Sequence, residues 1–362
     1  MTTKAIIRAE AEALFAAFQN AGAVPVDADI LLPADTLLDL YGEDIRARAY
    51  VTNDPLRGEM MLRPDFTVPV VQAHMRDGAE PARYCYMGEV FRKQDQVTTR
   101  PNEYLQVGYE VFDRLAPAQA DAEVFSLFHG LLAGLNLQAG IGDIGILLAA
   151  VRGLSTTDRR KNALLRHVWR PGRFHALIDR FAGRTSMPAA RVALLERLAL
   201  DVPEALIASA GTFVGLRDAG DIAARARALV EDAQAAPLDA GEAGALDALL
   251  AIDAAAPEAL AQLQGLGIAA IGPAVGQFAA RLAAMERRGI DVGTLQFSAT
   301  HMQSTLEYYD GFVFSFQADG MPAVASGGRY DALTARLGAG VSIPAVGGVI
   351  RPGLVARLKG AA

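Results

Sequence analysis

The segment Tyr104-Leu105-Gln106-Val107-Gly108-Tyr109-Glu110-Val111-Phe112 places polar groups at every second position. In a strand, alternate side chains share a face. Leu105, Val107, Tyr109 and Val111 would then form an apolar face, and Tyr104, Gln106, Gly108 and Glu110 the opposite one. Gln106 and Glu110 lie roughly 13 Å apart along such a strand. Gly108 would leave a hollow between them for the backbone of a ligand. Taken alone, the segment reads more simply as a strand with one face in solvent. The preceding run Gly88-Glu89-Val90-Phe91-Arg92 puts Arg92 on the side of Gly88 and Tyr86. An arginine at a strand end is a surface charge or a grip on an anion. A guanidinium pairs with a carboxylate, and an ammonium with Glu or Gln, so neighbouring strands carrying Arg92, Gln106 and Glu110 could hold the charged ends of an amino acid.

Three further segments carry functional groups. Leu62-Arg63-Pro64-Asp65-Phe66-Thr67 reads as a turn that exposes acceptor oxygens. In Leu306-Glu307-Tyr308-Tyr309-Asp310-Gly311, the paired tyrosines Tyr308 and Tyr309 either bound an aromatic ligand or pack in a core. In Ser326-Gly327-Gly328-Arg329-Tyr330-Asp331 the glycines permit close backbone approach. The single cysteine, Cys85, lies between Tyr84 and Tyr86 and reads as a small buried hydrophobe, and no Cys/His spacing suits zinc. We expect no metal and no cofactor.

These residues need elements to position them. Residues 4–20 have the periodicity of an amphipathic helix with Ile7, Ala11, Leu14, Phe15 and Phe18 on one face, and Gly22 can close it. Strands are predicted at Glu59–Arg63, Tyr84–Arg92, Tyr104–Phe112, Gly311–Gln317 and Pro322–Ser326, with a helix from Asp331. Residues 155–290 are rich in Ala, Leu and Arg and punctuated by prolines, which predicts a string of helices. The order of sheet, helical block and sheet implies one domain made from 1–154 and 293–362, with a helical domain inserted at 155–292. Of the 362 residues, 52% are hydrophobic, enough for a large core, yet no run is long enough to cross a membrane; the longest, Ile144–Val151, has the length of a strand. Without a signal peptide, the chain is expected to be soluble and cytoplasmic, away from membranes. The net charge of −7 gives no support to nucleic-acid binding, and no tRNA partner is expected.

The order of the motifs identifies them together. Leu-Arg-Pro-Asp-Phe-Thr, Gly-Glu-Val-Phe-Arg, Tyr-Leu-Gln-Val-Gly-Tyr-Glu-Val-Phe, Leu-Glu-Tyr-Tyr and Gly-Gly-Arg-Tyr-Asp resemble, in order and approximate spacing, the catalytic domain of class II histidyl-tRNA synthetases. The resemblance covers most of residues 1–150 and 295–355. It implies an α+β fold, an antiparallel six-stranded sheet flanked by helices, which is usually dimeric. It also implies a histidine pocket. Asp65, Thr67 and Gln106 would hold the amino group, and Glu110 and Tyr309, beside Tyr308, the imidazole. Arg92 matches an arginine that contacts the ATP phosphate and the carboxylate, and Tyr104 an aromatic that stacks on adenine.

Departures from that pattern decide the function. The family places an arginine three residues before the acid of its Leu-Asp-Tyr-Tyr, where this chain has Ser304. It follows Pro-Ala-Val-Gly with Gly-Leu-Glu-Arg, whereas Pro344-Ala345-Val346-Gly347 here leads to Leu354 at the arginine position. Arg351 stands three residues early, and Pro352 is expected to break the register and keep it from substituting. Asp29 stands at the motif 1 proline, and no anticodon-binding domain is expected after Leu354. An amino-acid pocket without ATP-handling groups resembles the regulatory subunits of ATP phosphoribosyltransferase in the first step of histidine biosynthesis. That resemblance implies a non-catalytic chain, a homodimer within a hetero-oligomer with the short-form catalytic subunit, and feedback inhibition through bound L-histidine. The alternatives are a histidyl-tRNA synthetase or related amino-acid ligase, and a scaffold with a vestigial pocket. Each lost charge contact costs about 10²–10³ in rate. The protein is therefore expected to show neither histidine-dependent ATP–pyrophosphate exchange nor tRNA charging; exchange at a rate typical of synthetases would contradict this reading.

Overall fold

A computed structural model describes residues 3–41, 48–94, 101–211, 217–301 and 308–361. It divides into two compact units. The first comprises Met1–Ile146, Ala251–Gly265 and Gly272–Ala362, and the second Leu147–Leu250 and Leu266–Ile271.

The first unit is built on a sheet. Its strands are β1 (Val24–Pro25), β5 (Ala82–Phe91), β6 (Glu103–Phe112), β7 (Gln138–Asp143), β8 (Asp253–Ala255), β9 (Gln296–Ser298), β10 (Phe312–Gln317), β11 (Ala325–Arg329) and β12 (Ala345–Ile350). A separate small sheet holds β2 (Leu31–Pro33), β3 (Val51–Asp54) and β4 (Gly58–Leu62). The large sheet has the order β1-β5-β6-β12-β11-β10-β7-β9-β8 among the described residues. From β5 to β7 every neighbour is antiparallel, so the six-stranded antiparallel sheet expected from the motifs is present. Short strands extend it at both edges, β1 parallel to β5 and β9 parallel to β7.

The helix at Lys4–Asn20 buries Ala11, Leu14 and Phe18, as its periodicity predicts, and Thr3 caps it through Ile6 N. Phe18 stacks on Phe128 of the helix Pro117–Leu131, and Tyr109 lies 5.3 Å from Phe18 on the same face of the sheet. Aromatic side chains Phe125, Phe312, Phe314 and Phe316 continue that core along β10. Through this core runs a chain of buried charges. Arg281, on the helix Gly272–Arg287, donates to Asp121 at 2.8 Å and to Asp143 at 2.9 Å. Arg329, at the end of β11, donates to the other oxygen of Asp121 at 2.6 Å and to Asp331 at 3.0 Å.

The second unit is helical. Its helices include Asp158–His167, Pro171–Phe181, Ala189–Leu200, Pro203–Ser209, Ala219–Gln234 and Ala240–Leu250. Pro171 and Pro203 begin their helices, where the missing N–H costs nothing. Arg160 donates to the Asp232 carboxylate at 2.7 Å and to the carbonyls of Asp232 and Ala236, so a cation closes the C-terminal end of Ala219–Gln234.

Three expectations change. The helical block is not 155–292. Residues 251–265 and 272–292 belong with the sheet, because β8 pairs with β9 and Arg281 reaches into the core. Helical periodicity shows that a segment is helical, not which partner covers it. The run Ile144–Val151 forms a helix, Ile144–Arg152, started by the Asp143 carboxylate accepting from Gly145 N. The strand expected at Pro322–Ser326 is shifted to Ala325–Arg329 and contains the double glycine. A Cβ on Gly327 would stand 2.2 Å from the Gly347 carbonyl oxygen, so the glycines let β11 and β12 approach.

Asp121 is the acceptor shared by two buried arginines. Asp121→Ala is expected to destabilise the protein by about 3–5 kcal/mol, since both guanidiniums lose compensation in a dry core. Denaturant midpoints measure this, and a loss under about 1 kcal/mol would show the network to be dispensable.

Candidate functional site

The seven residues singled out for ligand contact converge. Asp65, Thr67, Arg92, Gln106, Glu110, Tyr308 and Tyr309 line one cavity, joined by Ser326, Tyr330, Gly347, Gly348, Val349 and Arg351. The space, including its open mouth, is about 350 Å³.

Glu110 is the centre of the site. It is fully buried on β6, between Tyr84 of β5 and Gly347 of β12. Tyr86 donates to its Oε1 at 2.8 Å and Tyr330 to its Oε2 at 2.7 Å, with Thr67 at 3.5 Å from Oε1. A carboxylate offers about four lone-pair sites, so acceptor capacity remains for a ligand N–H. Burial pushes its pKa up to about 7, against the two tyrosine hydrogen bonds, which favour the ionised form. Two glycines, Gly347 opposite it on β12 and Gly108 two residues before it on β6, are required for space. A Cβ on Gly347 would fall 1.4 Å from Glu110 Oε2, and one on Gly108 would fall 2.1 Å from Tyr86 Cζ. The hollow expected above Gly108 is therefore filled by the Tyr86 ring, which crosses the glycine to reach Glu110. A glycine in a strand announces a close approach without naming the visitor.

Asp65 and Thr67 come from the segment expected to be an exposed turn. It is buried instead, because Phe66 stacks on Tyr86 at 4.4 Å and Arg63 lies over Phe66 at 4.1 Å. Arg63 Nε also donates to the Glu89 carbonyl at 2.8 Å. This stack of guanidinium and two rings sets Asp65 and Thr67 at the cavity wall. Arg92 donates through Nε to the Pro64 carbonyl at 2.8 Å, tying the end of β5 to the same segment.

Gln106 has no exposed surface, and neither Nε2 nor Oε1 of its amide finds a partner among the described residues. A buried amide left so is costly, and a ligand that supplies both a donor and an acceptor removes the cost. Tyr309 is buried, and burial pushes its phenol well above the ordinary range, so it stays a neutral donor. Its segment is fixed at Asp310, whose carboxylate accepts from Asp331 N and Ala332 N at the start of the helix Asp331–Leu337.

Arg351 departs from expectation. Pro352 begins the helix Pro352–Ala361 rather than breaking one, and Arg351, just before it, lines the cavity. Leu354 lies within that helix and away from the cavity lining. Tyr104, expected beside a nucleotide, is partly buried and interacts with Arg351. Ser304 and Glu307 lie outside the described residues. Asp29 is exposed, and Cys85 is buried with its thiol pushed up to about 11. Sequence reasoning missed Tyr86 and Tyr330; their alternation with Gly88 and Gly328 was the available signal.

The histidyl-tRNA synthetase family model matches residues 3–238 and 222–352. A Rhizobium meliloti protein named ATP phosphoribosyltransferase regulatory subunit is 33% identical over 354 residues, covering 92% of each chain. A Mesorhizobium japonicum protein of the same name is 35% identical over 366 residues, covering 94% of each. Among solved structures, an ATP phosphoribosyltransferase regulatory subunit/histidyl-tRNA synthetase from Bacillus halodurans superposes with a TM-score of 0.69 at 20% identity, over 98% of this chain and 79% of that one. A histidyl-tRNA synthetase from Nostoc gives 0.63 at 16% identity, over 99% and 72%. These two share the fold.

Glu110 gives a pH signature. Below its unfolded pKa, near 4.5, the carboxyl is protonated in both states. As pH rises towards 7 the unfolded chain releases the proton while the folded one holds it, so stability falls. Between pH 4.5 and 8 the parent is expected to lose about 3 kcal/mol relative to Glu110→Gln. Parallel stability–pH curves for the two proteins would contradict the buried-carboxyl account.

Proposed function

The chain belongs to the family of ATP phosphoribosyltransferase regulatory subunits, which share the histidyl-tRNA synthetase fold, and on that premise we propose that it senses L-histidine and catalyses nothing itself. In this reading it assembles, as a homodimer, with the short catalytic subunit of ATP phosphoribosyltransferase. It supports that enzyme's activity in the first step of histidine biosynthesis and carries its feedback inhibition.

One observation carries the ligand assignment. Gln106, a buried amide with both ends open among the described residues, shares a cavity and a strand face with a buried carboxyl, Glu110, that keeps acceptor capacity. Histidine has the matching ends. Its ammonium would meet Gln106 Oε1, Asp65 and Thr67, its carboxylate Arg92 and the Gln106 Nε2 donor, and its ring Glu110 and Tyr309, with Tyr308 alongside. Imidazole needs a partner at each nitrogen, and a carboxyl beside a phenol supplies both. A carboxyl that titrates near neutrality sits close to the ordinary imidazole range, so one proton can be shared between ligand and protein.

The reading of catalytic silence rests on two positions of the sequence pattern. Leu354 brings no charge to the cavity, and Ser304 replaces the arginine of the synthetase pattern. A sensor must bind histidine without consuming it. Coupling to the catalytic subunit then needs only different affinities in two assembly states, on the order of 1–3 kcal/mol.

Calorimetry tests the ligand. The parent is expected to bind L-histidine, and Glu110→Gln to bind it about tenfold more weakly or worse, by loss of a hydrogen bond to a charged group. Equal affinity of parent and variant would place the ring elsewhere. Light scattering with the short catalytic subunit tests assembly; separate species with unchanged transferase activity would overturn it.

A further inference from the structure

The histidine reading leaves one charge of the cavity without a task. Arg351 stands between the end of β12 and the helix Pro352–Ala361, and its guanidinium lines the cavity beside Ser326, Gly348 and Val349. Nη1 donates to the Ala323 carbonyl at 2.7 Å and Nη2 lies 3.3 Å from Ser326 Oγ. These two bonds and a hydrogen bond with the Tyr104 phenol hold the fork in place without neutralising it. The surrounding groups that favour its charge are the phenols of Tyr104 and Tyr309; Arg92 opposes it. No carboxylate pairs with Arg351 among the described residues, and Arg92 lines the same cavity.

A partly buried cation without a counter-ion carries a desolvation cost, and an entering anion offsets it. The guanidinium fork matches a planar carboxylate through two parallel N–H···O bonds. Gln106, at no exposure and with both amide atoms without a partner among the described residues, marks the same cavity as suited to a polar ligand. A phosphate could meet the same two forks. The narrow space and the buried carboxyl groups of Asp65 and Glu110 on the same walls favour a small zwitterion over a multiply charged anion.

We propose that Arg351 receives the α-carboxylate of a free amino acid together with Arg92, and so makes this site select ligands with a carboxylate over analogues without one. The proposal rests on the histidine reading of the cavity and adds a specificity-determining residue to it. The arginine missing at Leu354 is thus not simply lost. A cation stands three residues earlier, at a strand end, where it faces an amino acid.

Calorimetry of the full chain with L-histidine, with histidinol, which carries an alcohol in place of the carboxylate, and with inorganic phosphate tests this. The parent is expected to bind histidinol at least about tenfold more weakly than histidine, as loss of a charge-assisted bidentate pair implies. Arg351→Met should narrow the histidine-to-histidinol ratio severalfold, Arg92 keeping the remaining preference for the carboxylate, while leaving histidinol within about twofold, the retained histidinol binding serving as the check on folding. Arg351→Lys, which keeps charge and loses the fork, should fall between them. An unchanged histidine-to-histidinol ratio in Arg351→Met overturns the role of Arg351 alone. Phosphate binding that disappears in Arg351→Met while histidine binding persists also overturns it, assigning the fork to a phosphate. A parent that binds neither histidine nor histidinol overturns the histidine reading and this inference with it.

Discussion

A carboxyl group out of water must be surrounded by donors or remain protonated, and Glu110 is arranged so that both answers are within reach. Two tyrosine hydroxyls, from Tyr86 on β5 and Tyr330 just after β11, donate to its two oxygens. Burial nevertheless lifts its pKa to about 7. The group is thus stable enough to keep and close enough to neutrality to respond to a ligand that brings or takes a proton. Much of the local sequence serves it. Gly108 gives passage to the Tyr86 ring and Gly347 gives room to the carboxyl itself.

The charge network in the core extends the same constraint. Tyr330 can reach Glu110 only if the end of β11 is fixed, and Arg329 fixes it through Asp121 and Asp331. Asp331 in turn accepts from Ala345 N at 2.9 Å, locking the start of β12, the strand that carries Gly347, Gly348 and Val349 to the cavity. Asp310 does the same for Tyr309 by holding the first amides of the next helix. Residues in no contact with the cavity therefore set its geometry, since a displaced donor near a buried carboxyl is costly in a low-dielectric interior.

The sequence reveals most of the site and about as much of the fold as periodicity can carry. Alternation along 104–112 put Gln106 and Glu110 on one face, and motif order gathered Asp65, Thr67, Arg92, Tyr308 and Tyr309, all of which line the cavity. What stayed hidden depends on packing. Whether the Asp65 segment was an exposed turn or a buried one depended on the Arg63–Phe66–Tyr86 stack, which joins two distant segments. Whether helices at 256–265 and 272–287 belonged to the sheet depended on Arg281 and its two aspartates. The place of Arg351 at the cavity was hidden because Pro352, at the first helical position, starts a helix instead of breaking one.

The central claim is that the cavity around Glu110 holds free L-histidine. Crystals grown with L-histidine measure it directly. The account predicts ligand density in this cavity, with the imidazole within hydrogen-bonding distance of Glu110 and Tyr309 and the ammonium at Gln106. An empty cavity at saturating histidine, or density for the amino acid elsewhere on the chain, would contradict it.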